Sequence, residues 1–145
     1  MCLRVATSRR PLHNTAYKVF QKFGPSYRTP FFDMYSPIKL GEWLTDKNTA
    51  LIPYVEYYCL VTSTLTHYRA GFHCYLDLRD AIDVKDWFNC CYRTENLEYV
   101  VFRVDFDDCC AEYGVESDTS CLNKFWSKNR DVVVSRRIKP IEIIV

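Results

Sequence analysis

The spacing of apolar and polar residues predicts β-strands over much of the chain. Residues 15–23 alternate between apolar side chains and Lys18 and Lys22, a period of two that is typical of a half-buried strand. Residues 98–106 have the same period, and their expected inner face consists of Val100, Phe102, Val104 and Phe106. Further strands are predicted from β-branched and aromatic content at residues 28–35, 55–65, 71–76, 132–134 and 138–145.

One helix is predicted directly after the strand at residues 71–76. Asp77 is placed to cap its first turn, where a carboxylate can accept a backbone N–H. Two apolar stripes follow: Leu78, Ala81 and Ile82, and then Val84, Trp87, Phe88 and Cys91. Because the second stripe is rotated from the first, we expect the helix to bend or restart near Asp83.

The remaining segments complete the predicted architecture. Residues 1–14 have no periodicity and are predicted to form an extended basic arm, and residues 107–130 a loop-rich acidic excursion with weak helical signal at 122–126. Pro140 places the last strand at a sheet edge, because proline donates no backbone hydrogen bond. Residues 15–145 are therefore predicted to form a single α+β domain, mostly antiparallel sheet with one or two short helices.

Composition and charge narrow the class of protein. The chain has 145 residues, of which 48% are hydrophobic and 26% charged, as expected of one globular domain. The net charge of +1 gives no overall positive field for nucleic acid, so we do not expect a nucleic-acid partner. No apolar run is long enough to span a membrane. Residues 1–40, however, contain seven basic residues and one acidic residue. The basic end is expected to lie across its own acidic fold; the alternative is a face for phosphate or an acidic partner that includes Arg9 and Arg10.

The eight cysteines are expected to be free thiols in a reducing compartment. We expect the first residues not to be an export-type leader, since they contain no apolar run, and the sequence has no Cys-x-x-Cys pair. Neighbouring residues on a strand point to opposite faces, so the doublets Cys90-Cys91 and Cys109-Cys110 are poorly suited to zinc. We expect no metal and no cofactor. The acidic residues between Asp105 and Asp118 lack the spacing of a calcium loop and are interpreted as a solvated face rather than a cation site.

Several short motifs occur in one order along the chain. They are Met1-Cys2-Leu3, Tyr17-Lys18-Val19-Phe20, Thr29-Pro30-Phe31, Gly71-Phe72-His73 with Asp80-Ala81, and Val132-Val133-Val134 with the closing residues 138–143. Together they resemble a family of small uncharacterised proteins of bacteriophages and large DNA viruses. The resemblance implies a viral or prophage origin, a place in the virion or the host cytoplasm, and one compact domain. It supplies no activity, cofactor or catalytic residue.

The aromatic content favours a binding protein. Aromatic residues make up 16% of the chain, more than a core of this size readily encloses, and tyrosine is favoured at interfaces. A docking patch is predicted from five tyrosines in one third of the chain: Tyr54, Tyr57, Tyr58, Tyr68 and Tyr75. We therefore expect a non-enzymatic accessory or structural protein, either a minor capsid-associated component or a binder of a host factor.

Two enzymatic alternatives depend on thiols. Removal of Met1 would leave Cys2 with a free α-amine as its base, an arrangement that resembles class II amidotransferases. His73 is the other weak candidate, as a base for the thiol of Cys2 or Cys59.

A third alternative is a nucleotide-binding enzyme. The order of strands resembles the layout of ADP-ribosyltransferases, which require an Arg or His on the first strand and a late Glu. Lys18 departs from the first requirement, and Glu142 is the candidate for the second.

Overall fold

The computed structural model describes residues 3–7, 10–30, 37–53, 67–91, 97–117 and 128–145. Within these ranges there are eleven β-strands and one α-helix. The strands are β1 (Leu3–Ala6), β2 (Thr15–Phe23), β3 (Ser26–Arg28), β4 (Leu44–Thr45), β5 (Leu51–Pro53), β6 (His67–Arg69), β7 (Phe72–Tyr75), β8 (Glu98–Phe106), β9 (Ala111–Ser117), β10 (Asn129–Ser135) and β11 (Arg137–Ile143). The helix is α1 (Leu78–Cys91), and a short 3-10 helix covers Asp108–Cys110.

Nine of the strands form one antiparallel sheet in the order β1-β9-β10-β7-β2-β8-β11-β4, with β3 paired to β2. Strands β5 and β6 form a separate two-stranded sheet. The described part of the chain is thus mostly antiparallel sheet with one helix, in a single compact domain, as its alternating pattern predicts. The register of the central pair is set by Thr15 opposite Asp105 and Val19 opposite Val101.

The central strand β8 is buried on both faces from Tyr99 to Phe102, and six of its nine residues are apolar. Tyr99 and Val101 point to one side, here called the helix face, and Val100, Phe102, Val104 and Phe106 point to the other, the inner face. The sheet curls so that its inner face packs against itself. Phe106 on β8 and Tyr113 on β9 lie four strands apart in the sheet order, yet their ring centroids are 6.1 Å apart.

Helix α1 packs on the helix face through Ala81, Val84 and Phe88. The Asp77 carboxylate accepts the Arg79 N–H at 2.8 Å, the capping contact expected at this position. The helix runs unbroken from Leu78 to Cys91, so it does not restart near Asp83. The buried residues recur at helical spacing along one stripe, and the residues on either side of it, such as Ile82 and Trp87, are its half-buried margins.

The Asn89 side chain fastens the last turns of α1 to β8. Its Oδ1 accepts the Tyr99 N–H at 2.8 Å, and its Nδ2 donates to the Tyr99 carbonyl at 3.2 Å. The amide thus mimics a neighbouring strand and satisfies both backbone groups of a buried residue.

Two strand connections turn the same corner of the sheet. Strand β8 continues through the 3-10 helix into β9, and β10 continues through Arg136 into β11. The Ser135 hydroxyl is fully buried there, 3.2 Å from the Asp107 carbonyl and 2.9 Å from the Arg137 carbonyl, and it accepts the Arg137 N–H at 3.3 Å. The Asp107 N–H donates to the same Arg137 carbonyl at 3.1 Å. These bonds satisfy backbone groups that the bend removes from the strand ladders.

Several expected boundaries change. Part of the expected arm is strand β1, which pairs with β9, and part of the expected loop at 107–130 is β9 itself. Strand β11 lies between β8 and β4, so the edge position expected from Pro140 is wrong for the strand as a whole. Strand β4 pairs only with Arg137 and Ile138, which leaves Pro140 with a strand partner on the β8 side alone. The expected strand at 55–65 and the helical signal at 122–126 lie outside the described residues. No helix in the described ranges is both long and apolar enough to cross a membrane.

Gly71 is required where β7 approaches the corner. A Cβ atom at this position would lie 2.7 Å from the Ser135 carbonyl oxygen and 2.9 Å from its carbon, and backbone cannot move aside cheaply.

We expect Gly71→Ala to lower the free energy of unfolding by about 2 kcal/mol or more, measured by chemical denaturation. The control is Gly24→Ala, where φ is +57° but nothing lies within 4 Å of the added Cβ. Gly24→Ala should lower the free energy of unfolding by only about 1 kcal/mol. Equal losses of stability in the two variants would contradict the close approach of Gly71 to the Ser135 backbone.

Candidate functional site

The end of the helix face near the corner is exposed and carries three cross-strand ion pairs. In the register of β8 and β11, Asp105 lies opposite Lys139 and Arg103 opposite Glu142. The N–O distances are 3.5 Å for Lys139–Asp105, 3.1 Å for Arg103–Glu142 and 3.2 Å for Arg137–Asp107 at the corner. We call these six residues the ion-pair ladder. All six side chains are partly exposed, between 25% and 50%.

Trp43 flanks the ladder on the outer side of β11. Leu44 and Thr45 of β4 pair with Ile138 and Arg137, which brings the preceding residue alongside Lys139 on the ladder side. The centroid of the Trp43 ring is 5.0 Å from the Arg137 guanidinium carbon and 5.2 Å from Lys139 Nζ. Cations at these distances are attracted to the indole face. The indole is therefore held in place although it is 42% exposed.

An open cleft of about 570 Å³ adjoins Trp43. Asn14 and Thr15 form the opposite wall, and residues 105–109 complete the lining. The carboxylates in it are already engaged: Asp105 with Lys139, Asp107 with Arg137, and Asp108 as acceptor of the Tyr113 hydroxyl. Among the residues that the structure describes, no group of three or more His, Cys, Asp or Glu side chains is arranged to hold a metal ion.

The predicted tyrosine patch is wrong for two of its members. Tyr68 and Tyr75 are 0% and 1% exposed and belong to the core under α1, so they cannot contact a partner. The Tyr75 hydroxyl bonds to buried Glu116, and burial raises the pKa of Tyr75 well above its ordinary value. Burial is tolerated because this polar tip has a partner inside the fold. The other expected members, Tyr54, Tyr57 and Tyr58, lie outside the described residues.

Arg10 contacts the body of the fold. Its guanidinium carbon is 3.9 Å from the centroid of the Tyr113 ring, and Nη1 donates to the Thr7 carbonyl at 2.9 Å. These contacts agree with the expectation that the basic end lies across its own domain, although Arg10 remains exposed. Arg9 lies outside the described residues.

His73 is half-buried on β7. Its Nδ1 is buried without a hydrogen-bond partner among the described residues, and burial, followed by the positive charge of Lys18, lowers its pKa to about 3. The adjacent Cys74 points to the inner face, where burial raises the pKa of its thiol to about 11. A nucleophilic thiol requires a lowered pKa and access to substrate. Cys2 and Cys59 lie outside the described residues.

The residues expected for an ADP-ribosyltransferase site are not brought together. Lys18 is buried on the inner face, where Nζ donates to the His73 carbonyl at 3.0 Å and lies 5.8 Å from the Phe72 ring centroid. Glu142 lies on the other face of the sheet, in its exposed pair with Arg103. The sheet separates the two side chains.

Trp43 and the ladder were missed as a site in the sequence, although their signal is present there. Charged residues recur at every second position at 103, 105 and 107, and again at 137 and 139 before 142. Such spacing marks the exposed face of each strand. The pairing of the two strands, which turns scattered charges into a ladder, comes only from the fold.

Lys18 provides a test of the inner face. Burial lowers the pKa of Lys18 below its ordinary value of 10.5, so the unfolded chain binds its proton more readily than the folded chain does. The wild-type free energy of unfolding should therefore rise as pH increases toward 10.5. We expect Lys18→Met to be more stable than wild type by about 1–3 kcal/mol at neutral pH. Its free energy of unfolding should also rise less with pH than that of wild type. The control Lys22→Met, at an exposed position, should change stability by less than about 0.5 kcal/mol.

His73 should make the protein acid-sensitive. Between pH 6.5 and about 3 the unfolded chain takes up a proton that folded His73 does not, so this part of the stability is present above pH 6.5 and is lost as pH falls toward 3. Urea unfolding across this range should show a smaller loss for His73→Gln than for wild type. His13→Gln, at an exposed histidine, serves as the control and should follow wild type. Identical profiles for all three proteins would contradict burial of His73.

The described cysteines Cys74, Cys90, Cys91, Cys109 and Cys110 are free thiols.

Comparison with known proteins adds no relative from which a role could be transferred. No family model, curated protein or solved structure matches this chain. What the chain does must be inferred from its own side chains.

Proposed function

We propose that this chain is a non-enzymatic protein that binds another protein through the ion-pair ladder and Trp43, together called the ladder face. The observation that carries the proposal is Trp43. A large aromatic side chain that lies beside two cations and is still 42% exposed is costly to leave in water. Tryptophan and arginine are also the residues that contribute most to binding at protein interfaces.

The charges around Trp43 favour a protein partner over nucleic acid. The ladder contains three acidic and three basic side chains, so it presents no surplus of positive charge to phosphates. Mixed charges around an aromatic centre are typical of the polar rim of a protein interface.

The shape of the adjoining cleft also favours a macromolecule. Small-molecule sites are usually enclosed and mostly apolar. The cleft beside Trp43 is open to solvent, and its acidic residues are already paired. Such a recess suits a protruding side chain of another protein. If the chain has the viral origin that its motifs imply, that partner is a neighbouring virion subunit or a host factor.

Site-specific photo-crosslinking tests the proposal. A benzoylphenylalanine placed at position 43 should give one adduct of defined mass in extracts of host cells that produce the protein. The same group at Leu51, which is 64% exposed on the separate two-stranded sheet, should give none of that mass.

The affinity of the identified partner provides the quantitative check. We expect Trp43→Ala to weaken binding by about tenfold or more, whereas Leu51→Ala should leave the affinity within about twofold of wild type. No adduct at position 43, or the same adducts from both positions, would rule out the ladder face as the binding surface.

A further inference from the structure

We propose that the ladder face binds a second copy of this chain, face to face about a two-fold axis. This inference rests on the proposed function, because it names the protein that occupies the same surface. The interface is isologous, which means that each copy uses the same residues.

The order of charges carries the inference. Along β11 the ladder residues are Arg137, Lys139 and Glu142, in the order positive, positive, negative. The corresponding positions hold Asp107, directly after β8, and Asp105 and Arg103 of β8, each opposite in sign to its partner on β11. The charge pattern of one strand is therefore the inverse of the other.

This inversion selects one symmetry axis. A two-fold axis that runs between β8 and β11, parallel to them, lays β8 of one copy over β11 of the other. Every acidic residue then faces a basic one, with Asp105 over Lys139 at the centre. An axis across the strands would instead place Lys139 on Lys139 and Asp105 on Asp105, which repel.

The same rotation gives Trp43 a place to pack. Trp43 lies on the outer side of β11, and Thr15 lies on the outer side of β8, opposite Asp105. The axis between the two strands exchanges these sides, so the indole of each copy comes over Thr15 of the other. The cleft lined by Thr15 is the recess that receives it.

Each charge then has one partner in its own chain and one in the other. Linked pairs of this kind are more effective than isolated surface pairs, which contribute little. Two stacked sheets cross at about −30° because each is twisted, so the end pairs of the ladder drift apart while the central pair stays aligned. Asp105 and Lys139 are therefore the residues to change.

Sedimentation equilibrium of the full chain tests the proposal. Wild type should form a dimer, and Lys139→Glu or Asp105→Lys alone should weaken it by about tenfold or more, since like charges then face each other. An equal mixture of these two variants should form a mixed dimer. One variant has two acidic side chains at positions 105 and 139, and the other has two basic ones, so opposite charges face each other. Lys22→Glu alters a matched exposed cross-strand pair, with Glu98 at 2.8 Å, and should leave the dimer unchanged.

A double exchange covers the case in which a single variant fails to fold. Asp105→Lys with Lys139→Asp keeps the pair within each chain and should form its own dimer. It should not form mixed dimers with wild type in native mass spectrometry, because the rotation would place Lys on Lys and Asp on Asp. Free mixing with wild type would overturn the proposed axis.

The outcomes separate this inference from the proposed function. A wild-type chain that stays monomeric, with a position-43 adduct to a different protein, overturns self-association and leaves protein binding by the ladder face intact. A monomer with no adduct to any protein overturns both. An adduct between two copies, with dimers that obey the charge rules, supports both.

Discussion

The corner at Ser135 is the constraint on which the rest of the structure depends. Two connections, from β8 to β9 and from β10 to β11, bend there. Each joins two strands that lie four places apart in the sheet. The buried hydroxyl of Ser135 satisfies backbone groups of Asp107 and Arg137 that no strand partner reaches. Because these short connections hold β8 and β11 close to β9 and β10, the sheet must curl. Its inner face then encloses an apolar core.

The corner also determines which residues remain at the surface. Helix α1 covers the helix face over Tyr99 and Val101, and it does not extend over the end of the sheet near the bend. Strands β8 and β11 therefore carry charges on that end, and β4 brings Trp43 beside them. The ladder face is in this sense a product of the topology. It is the part of the sheet that helix α1 leaves exposed.

The sequence predicts the elements whose pattern is local and misses those that depend on distant partners. Strands β2 and β8 were predicted with their observed bounds because period-two alternation continues through each of them. Strand β9 was missed because its helix-face positions hold Glu112, Gly114 and Glu116, and the burial of Glu116 depends on the Tyr75 hydroxyl from another strand. The tyrosine patch failed for the same reason: residue type alone does not show whether a hydroxyl has a partner inside the fold.

The pairing of β2 with β8 has a consequence for how the chain is made. Thr15 and Asp105 are 90 positions apart, so during vectorial synthesis the first long strand leaves the ribosome well before its neighbour exists. Few contacts near in sequence are available to it meanwhile, since its other ladder partners are the short strands β3 and β7. Topologies dominated by such distant contacts fold slowly. The nascent chain therefore carries an aromatic strand that lacks its longest partner for most of elongation, and its yield in cells should depend on the chaperones that shield such strands.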